Sequence, residues 1–155
     1  MRKAPKTDVR IQREDFDISA EVRALTEKRC DIGATVTFTG HCRDDGECLE
    51  ALELEHYPGM AEAEIRRICD RATERFALQG LVVIHRYGRL SPGENIVTVI
   101  AAATHRQAAF EGASFVMDFL KTDAPFWKKE HLKDGTEGTW VSARESDNQA
   151  HERWQ

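Results

Sequence analysis

Cysteine is scarce in this chain, with four copies among 155 residues. Cys30, Cys42, Cys48 and Cys69 form no C-x-x-C pair and show no metal-type spacing, so the ligand patterns of structural zinc are absent. Reduced thiols in a cytoplasmic protein are the expectation that remains. Positive charge is also in short supply. The formal net charge is −5, which argues against general nucleic-acid binding, a task that needs a basic surface. No apolar run is long enough to span a bilayer, and no signal-peptide core is visible, so no membrane role is expected. Repeats, low-complexity tracts and linkers are lacking too.

What is present suits one compact domain over residues 1–155. The apolar fraction is 41% and charged residues make up 32%, enough for a single packed core. The first ten residues read as a polar, flexible lead-in. Asp17 to Arg29 reads as a helix with Ser19 as its N-cap. Ile32 to Thr39 is β-branched and alternating, hence a strand. Leu49 to His56 alternates as a half-exposed antiparallel strand. Tyr57-Pro58-Gly59 marks a turn. Met60 to Leu78 carries Ile65, Ile68, Cys69, Ala72 and Phe76 at helical spacing. Leu81 to Tyr87 and Asn95 to Ala103 read as strands, the second central. A second long helix runs from about His105 to Thr122, Thr139 to Arg144 reads as a short strand, and Ser146 to Gln155 as a polar terminal helix. The sum is an α+β fold, a mostly antiparallel sheet packed with two main helices.

The stretch Lys121 to Glu130, Lys-Thr-Asp-Ala-Pro-Phe-Trp-Lys-Lys-Glu, is the most informative part of the chain. It sets three ammonium groups around a Pro-Phe-Trp core, and aromatic neighbours strip water from lysines. On a wheel of about 100° per residue, Phe110, Ala113, Met117 and Leu120 share one face, and Arg106 and Lys121 fall on it as well. Two readings stand. Each cation snorkels out from a terminal turn, or each faces a pocket that receives an anion. Fifteen positions along one helix span about 22 Å, too far for one small ligand. If Arg106 and Lys121 serve one kind of site, a second copy of the chain must complete it, which predicts a symmetric dimer with composite pockets.

Several motifs occur in order: Thr37-Phe38-Thr39-Gly40 followed by Arg43, Leu54 to Met60, Ile84-His85-Arg86, His105-Arg106, Lys121 to Glu130, and Ala143 to Asp147. Together they resemble the large, catalytic subunit family of molybdopterin synthase, over most of the chain from about Asp31 to Trp154. The resemblance implies an α/β-hammerhead fold and a cytoplasmic sulfurtransferase of molybdenum cofactor biosynthesis. Such an enzyme adds two sulfurs to cyclic pyranopterin monophosphate (precursor Z) to form molybdopterin. The sulfur arrives as a C-terminal Gly-Gly thiocarboxylate on a ubiquitin-like small subunit, and the assembly is a homodimer within a heterotetramer. No cofactor and no metal is implied.

Residue roles follow from the same resemblance. Lys121 matches the family's essential lysine, and Lys128 a second lysine of the same pocket; both are expected to be catalytic. Lys129 and Glu130 complete the substrate-contacting stretch, with Glu130 orienting Lys128. His105 and Arg106 match a phosphate-side pair given by the other subunit, and a helix N-terminus suits an anion. Arg43, His41 and Cys42 match substrate-contacting positions of the loop after the first core strand. His41 stands where a lysine is common in relatives, and Asp123 where a basic residue is familiar. A sulfur relay at Cys42 is not required by the family chemistry. Arg144 is read either as an extra pocket cation or as a structural ion pair, while His56 and His85 are assigned to packing or hydrogen bonding. The competing class is a non-catalytic module that binds a ubiquitin-like tail or a phosphorylated small molecule.

Overall fold

The computed structural model describes residues 4–142, 152 and 154. Ten elements are described: β1 (Lys6–Gln12), α1 (Ile18–Thr26), β2 (Ala34–His41), β3 (Leu49–His56), α2 (Met60–Phe76), β4 (Gly80–Arg86), β5 (Gly88–Leu90), β6 (Asn95–Ala103), α3 (Arg106–Asp123) and β7 (Phe126–Leu132). They form a four-stranded sheet in the order β1-β4-β6-β2 and a three-stranded sheet in the order β5-β3-β7. Among the described strands only β1 and β4 pair in parallel; the other pairings are antiparallel. The α+β class and the mostly antiparallel pairing are those expected from the sequence.

The four-stranded sheet is covered on both faces, and the period-two alternation of its strands assigns the residues. Leu81 and Val83 of β4, with Val97, Val99, Ala101 and Ala103 of β6, face α2 and α3. Val82 and Ile84, with Ile100 and Ala102, face Leu25 and Val22 of α1. Burial on both sides explains why β4 and β6 read as continuous apolar runs. Ile65, Ile68, Cys69 and Ala72 are the buried stripe of α2. Each fully buried branched side chain contributes about 1.5–3 kcal/mol of transfer free energy.

Several expectations are corrected. Residues 6–12 are not a lead-in but a strand, paired with β4 from Lys6↔Gly80 to Gln12↔Arg86. The pairing supplies what the polar composition conceals, because only Val9 of β1 is fully buried. The N-cap of α1 is Asp17, whose side chain accepts from the Ala20 amide, and not Ser19. Phe110 is 61% exposed, although the wheel groups it with Ala113, Met117 and Leu120, which are buried. Its neighbour Ala109 takes the buried position in that turn of α3. The strand read at residues 139–144 is reduced to one bridge, Lys128↔Val141; Ala143 and Arg144 lie outside the described residues, as does the tail helix except at positions 152 and 154. There Trp154 packs edge-on against Phe76 and Phe115.

Two glycines sit where a side chain would not fit the backbone. A Cβ at Gly33 would sit 1.9 Å from the Thr104 carbonyl oxygen, so only glycine lets the start of β2 lie against the turn that launches α3. Gly59, the N-cap of α2, holds φ at 82°, a backbone conformation costly for residues with a side chain.

Candidate functional site

The two sheets and the C-terminal end of α3 enclose a cavity of about 570 Å³. Three stretches distant in sequence converge on it. A register shift between Gly40 and His41 sets His41 opposite Asn95 at the end of β2, the kind of irregularity that re-aims side chains beside a site. The end of β2 and the loop after it bring His41, Arg43, Asp44 and Asp45 to the cavity. The last turn of α3 brings Lys121, and β7 brings Phe126, Lys128 and Glu130. A floor of leucines, among them Leu52, Leu54 and Leu120, keeps the inner part apolar.

β7 sorts the lysines. Side chains alternate across a strand, so Lys128 and Glu130 line the cavity while Lys129 does not. Lys129 instead pairs with Glu137 at 2.9 Å and lies over the Trp140 ring at 5.5 Å. Backbone hydrogen bonds in both directions between Lys128 and Val141, at 3.0 and 2.8 Å, pin the strand where it carries the cavity lysine. Lys121 opens into the cavity as an exposed residue of this single chain, not a buried one. Arg43 is held by Asp45 at 3.2 Å, with both side chains about three-quarters exposed. Such a pair is weak, so an incoming anion displaces it at little cost. Asp44 and Asp45 also line the cavity, a placement that local sequence pattern does not signal.

The remaining candidates lie elsewhere. Cys42 is buried, does not line the cavity, and points its Sγ at the Leu90 carbonyl at 3.8 Å. Burial pushes its thiol pKa up, so it stays protonated, the opposite of what a sulfur relay needs. His105 is the N-cap of α3, with no side-chain capping bond, and it and Arg106 are exposed. Helix α3 is continuous from Arg106 to Asp123, so Arg106 stands about 22 Å from Lys121 along the axis. This cavity therefore contains neither His105 nor Arg106 from the same chain. Asp123 lies 3.7 Å from the Arg67 guanidinium of α2.

The two strand histidines surround Phe126. His56 sits 4.6 Å from the Tyr87 ring centroid and 6.1 Å from that of Phe126. His85 stacks on Phe126 at 3.9 Å and, unlike His56, lines the cavity. Burial pushes its pKa down to about 3, and the neighbouring Lys121 and His56 add to the fall against the opposing Arg86 carbonyl. The consequence for stability has a definite sign. A folded pKa below the unfolded value near 6.5 means the unfolded chain binds the extra proton, so this group costs stability as pH falls from about 6.5 toward 3. The slope it adds is at most about 1.4 kcal/mol per pH unit. Urea unfolding between pH 7 and 4.5 is expected to show a shallower acid loss in His85→Phe than in wild type, by about one proton taken up on unfolding. Equal slopes in the two proteins would refute the assignment.

Comparison with known proteins adds the relations. The MoaE protein family model matches residues 11–123. The molybdopterin synthase catalytic subunit of Rhizobium meliloti (strain 1021) is 66% identical over 151 residues, covering 97% of this chain and 97% of that protein. The solved molybdopterin biosynthesis MoaE protein from Burkholderia ambifaria MC40-6 superposes with a TM-score of 0.83 at 47% identity, covering 96% of this chain and 97% of the other. A complex of subunits 1 and 2 of the molybdopterin-converting factor from Helicobacter pylori 26695 superposes with a TM-score of 0.70 at 19% identity, covering 88% and 90%, and shares the fold. No helix among the described residues is long and apolar enough to cross a membrane.

Proposed function

The chain belongs to the MoaE protein family, and from that premise we propose that it works as the catalytic subunit of a molybdopterin synthase, transferring two sulfurs to cyclic pyranopterin monophosphate. The observation that carries this reading is the cavity into which Lys121, Lys128 and Arg43 converge over an apolar floor. The chemistry needs that combination. A cyclic phosphate calls for fixed cations, guanidinium above all. A thiocarboxylate that attacks carbon builds negative charge on oxygen, and a low-dielectric site with nearby ammonium groups stabilises it. Oxygen that departs must collect a proton, which an ammonium can deliver.

In this reading Lys121 is the proton donor and Lys128 holds developing negative charge, with Glu130, two positions on along the same face of β7, orienting it. Arg43 exchanges Asp45 for the phosphate, and His41 supplies a polar contact at the cavity rim. A ubiquitin-like small subunit inserts its Gly-Gly tail, whose lack of side chains suits a narrow entry. The H. pylori complex of two subunits on the same fold supports a partner of that kind. His105 and Arg106 from a second copy complete the phosphate side, in a homodimer within a heterotetramer.

The test is reconstitution. Purified protein, thiocarboxylated small subunit and precursor are mixed, and the pterin product is followed by mass spectrometry. The expected result is a gain of two sulfurs per pterin with release of the small-subunit carboxylate. Tight binding of the tail and the phosphate without any sulfur in the pterin would leave a recognition module in place of an enzyme.

A further inference from the structure

His85 is a buried titratable group that the proposed reaction leaves without a task. It is 4% exposed and borders the same cavity as Lys121. Its Nδ1 lies 2.8 Å from the carbonyl oxygen of Arg86. A carbonyl only accepts, so Nδ1 carries the hydrogen and Nε2 is left with its lone pair. Phe126 stacks on the ring at 3.9 Å with an interplanar angle of 20°, which fixes the plane of the imidazole. Tautomer and orientation are therefore both set by neighbours.

Lys121 of α3 shares the cavity with this ring and His56 of β3 packs against the same Phe126; either one, when charged, opposes a positive charge on His85. The Arg86 guanidinium is turned away, toward Glu94 at 3.3 Å and the Asn95 carbonyl at 3.0 Å. The ring thus stays neutral through the working pH range. A neutral acceptor has a particular use beside a lysine. The amine sits on a flexible four-carbon stem with three rotatable donors. A lone pair on a rigid ring selects one direction for it and favours the ammonium form.

We propose that His85 is the positioning residue of Lys121, its Nε2 accepting a hydrogen bond from the Lys121 ammonium within the cavity and so aiming that group at the reacting centre. Its catalytic consequence rests on the synthase reading above; its physical content does not.

Two measurements on the purified protein test it without any pterin chemistry. In wild type, nitrogen-15 imidazole spectra are expected to show His85 as the Nδ1-protonated tautomer, unchanged down to about pH 4. In His85→Phe, which retains a ring to stack on Phe126 and removes the acceptor, the Lys121 side-chain resonance is expected to titrate about half to one unit lower than in wild type. His85→Gln, whose carboxamide oxygen accepts, is expected to hold that titration nearer the wild-type value. In the reconstituted reaction His85→Phe is expected to lose about tenfold in kcat, with partial recovery in His85→Gln. An Nε2-protonated tautomer in wild type, or one Lys121 titration shared by wild type and His85→Phe, overturns the inference. A wild-type protein that forms no dithiolene overturns the synthase reading instead, and the Lys121 titration still decides for or against His85.

Discussion

Lys121→Ala is expected to lower turnover by about 10²–10⁴-fold, the range associated with loss of a positioned proton donor, while the protein stays folded. The residue sits in the last turn of α3, where a cation interacts favourably with the helix dipole by about 0.3–1 kcal/mol. For a domain of this size that corresponds to a fall in Tm of roughly 1–4 °C. The core neighbours Leu120 and Met117 are buried and remain packed. Lys121→Arg separates two contributions. A guanidinium keeps the positive charge but does not release its proton near neutral pH. If proton delivery dominates, Lys121→Arg stays close to Lys121→Ala; if charge dominates, it recovers most of the rate. Single-turnover measurement of product, alongside thermal unfolding, reads both effects. Near-normal turnover in Lys121→Ala would remove the proposed mechanism.

The second large effect concerns the distance along α3. Arg106→Ala is expected to raise KM for the cyclic phosphate by about 10–100-fold, as loss of a charge-assisted contact does, with a smaller change in kcat. Because Arg106 and Lys121 stand about 22 Å apart on one helix, the two variants should complement each other. Coexpressed Arg106→Ala and Lys121→Ala chains, separated from the parental dimers by two affinity tags, form mixed dimers in which one of two cavities has both residues intact. Those dimers are expected to show about half the wild-type rate, and an unsorted equal mixture about a quarter. If one chain alone builds each site, mixing restores nothing beyond the sum of the two weak variants. Gel filtration of the same samples establishes that the dimers form.

Much of the frame was legible from local pattern. The long apolar run of Asn95 to Ala103 marked a central strand, and β6 is central, paired on one side with β4 and on the other with β2. Helix α2 followed from Ile65, Ile68, Cys69 and Ala72 at helical spacing, because burial on one face repeats with the helical turn. Strand β1 was hidden, since its composition is polar and its partner β4 lies some seventy positions away in sequence. Strand β7 was hidden for a related reason: its two adjacent lysines and a glutamate obscure alternation, and pairing with β3 from Leu49↔Leu132 to His56↔Phe126 supplies the strand.

The site divides in the same way. Residue types alone, Lys121 and Lys128 around Phe126 and Trp127, offered an anion pocket as one of two readings, because charge and aromaticity belong to the side chain wherever it sits; Arg43 came from the family resemblance. Three matters waited on tertiary structure. The pleat of β7 sent Lys128 into the cavity and Lys129 to Glu137. Burial turned Cys42 from a polar-loop thiol into a protonated group beneath Leu90. The stack of Phe126 on His85, with the Arg86 carbonyl at Nδ1, made a strand histidine into a neutral acceptor beside the cavity lysine. Periodicity is a property of neighbours along the chain, so the amino-acid order alone determined the two long helices and the central strand. Which face a residue shows, and what it meets there, depends on pairings between distant segments, and only the folded arrangement of β3, β4, β7 and α3 decided them.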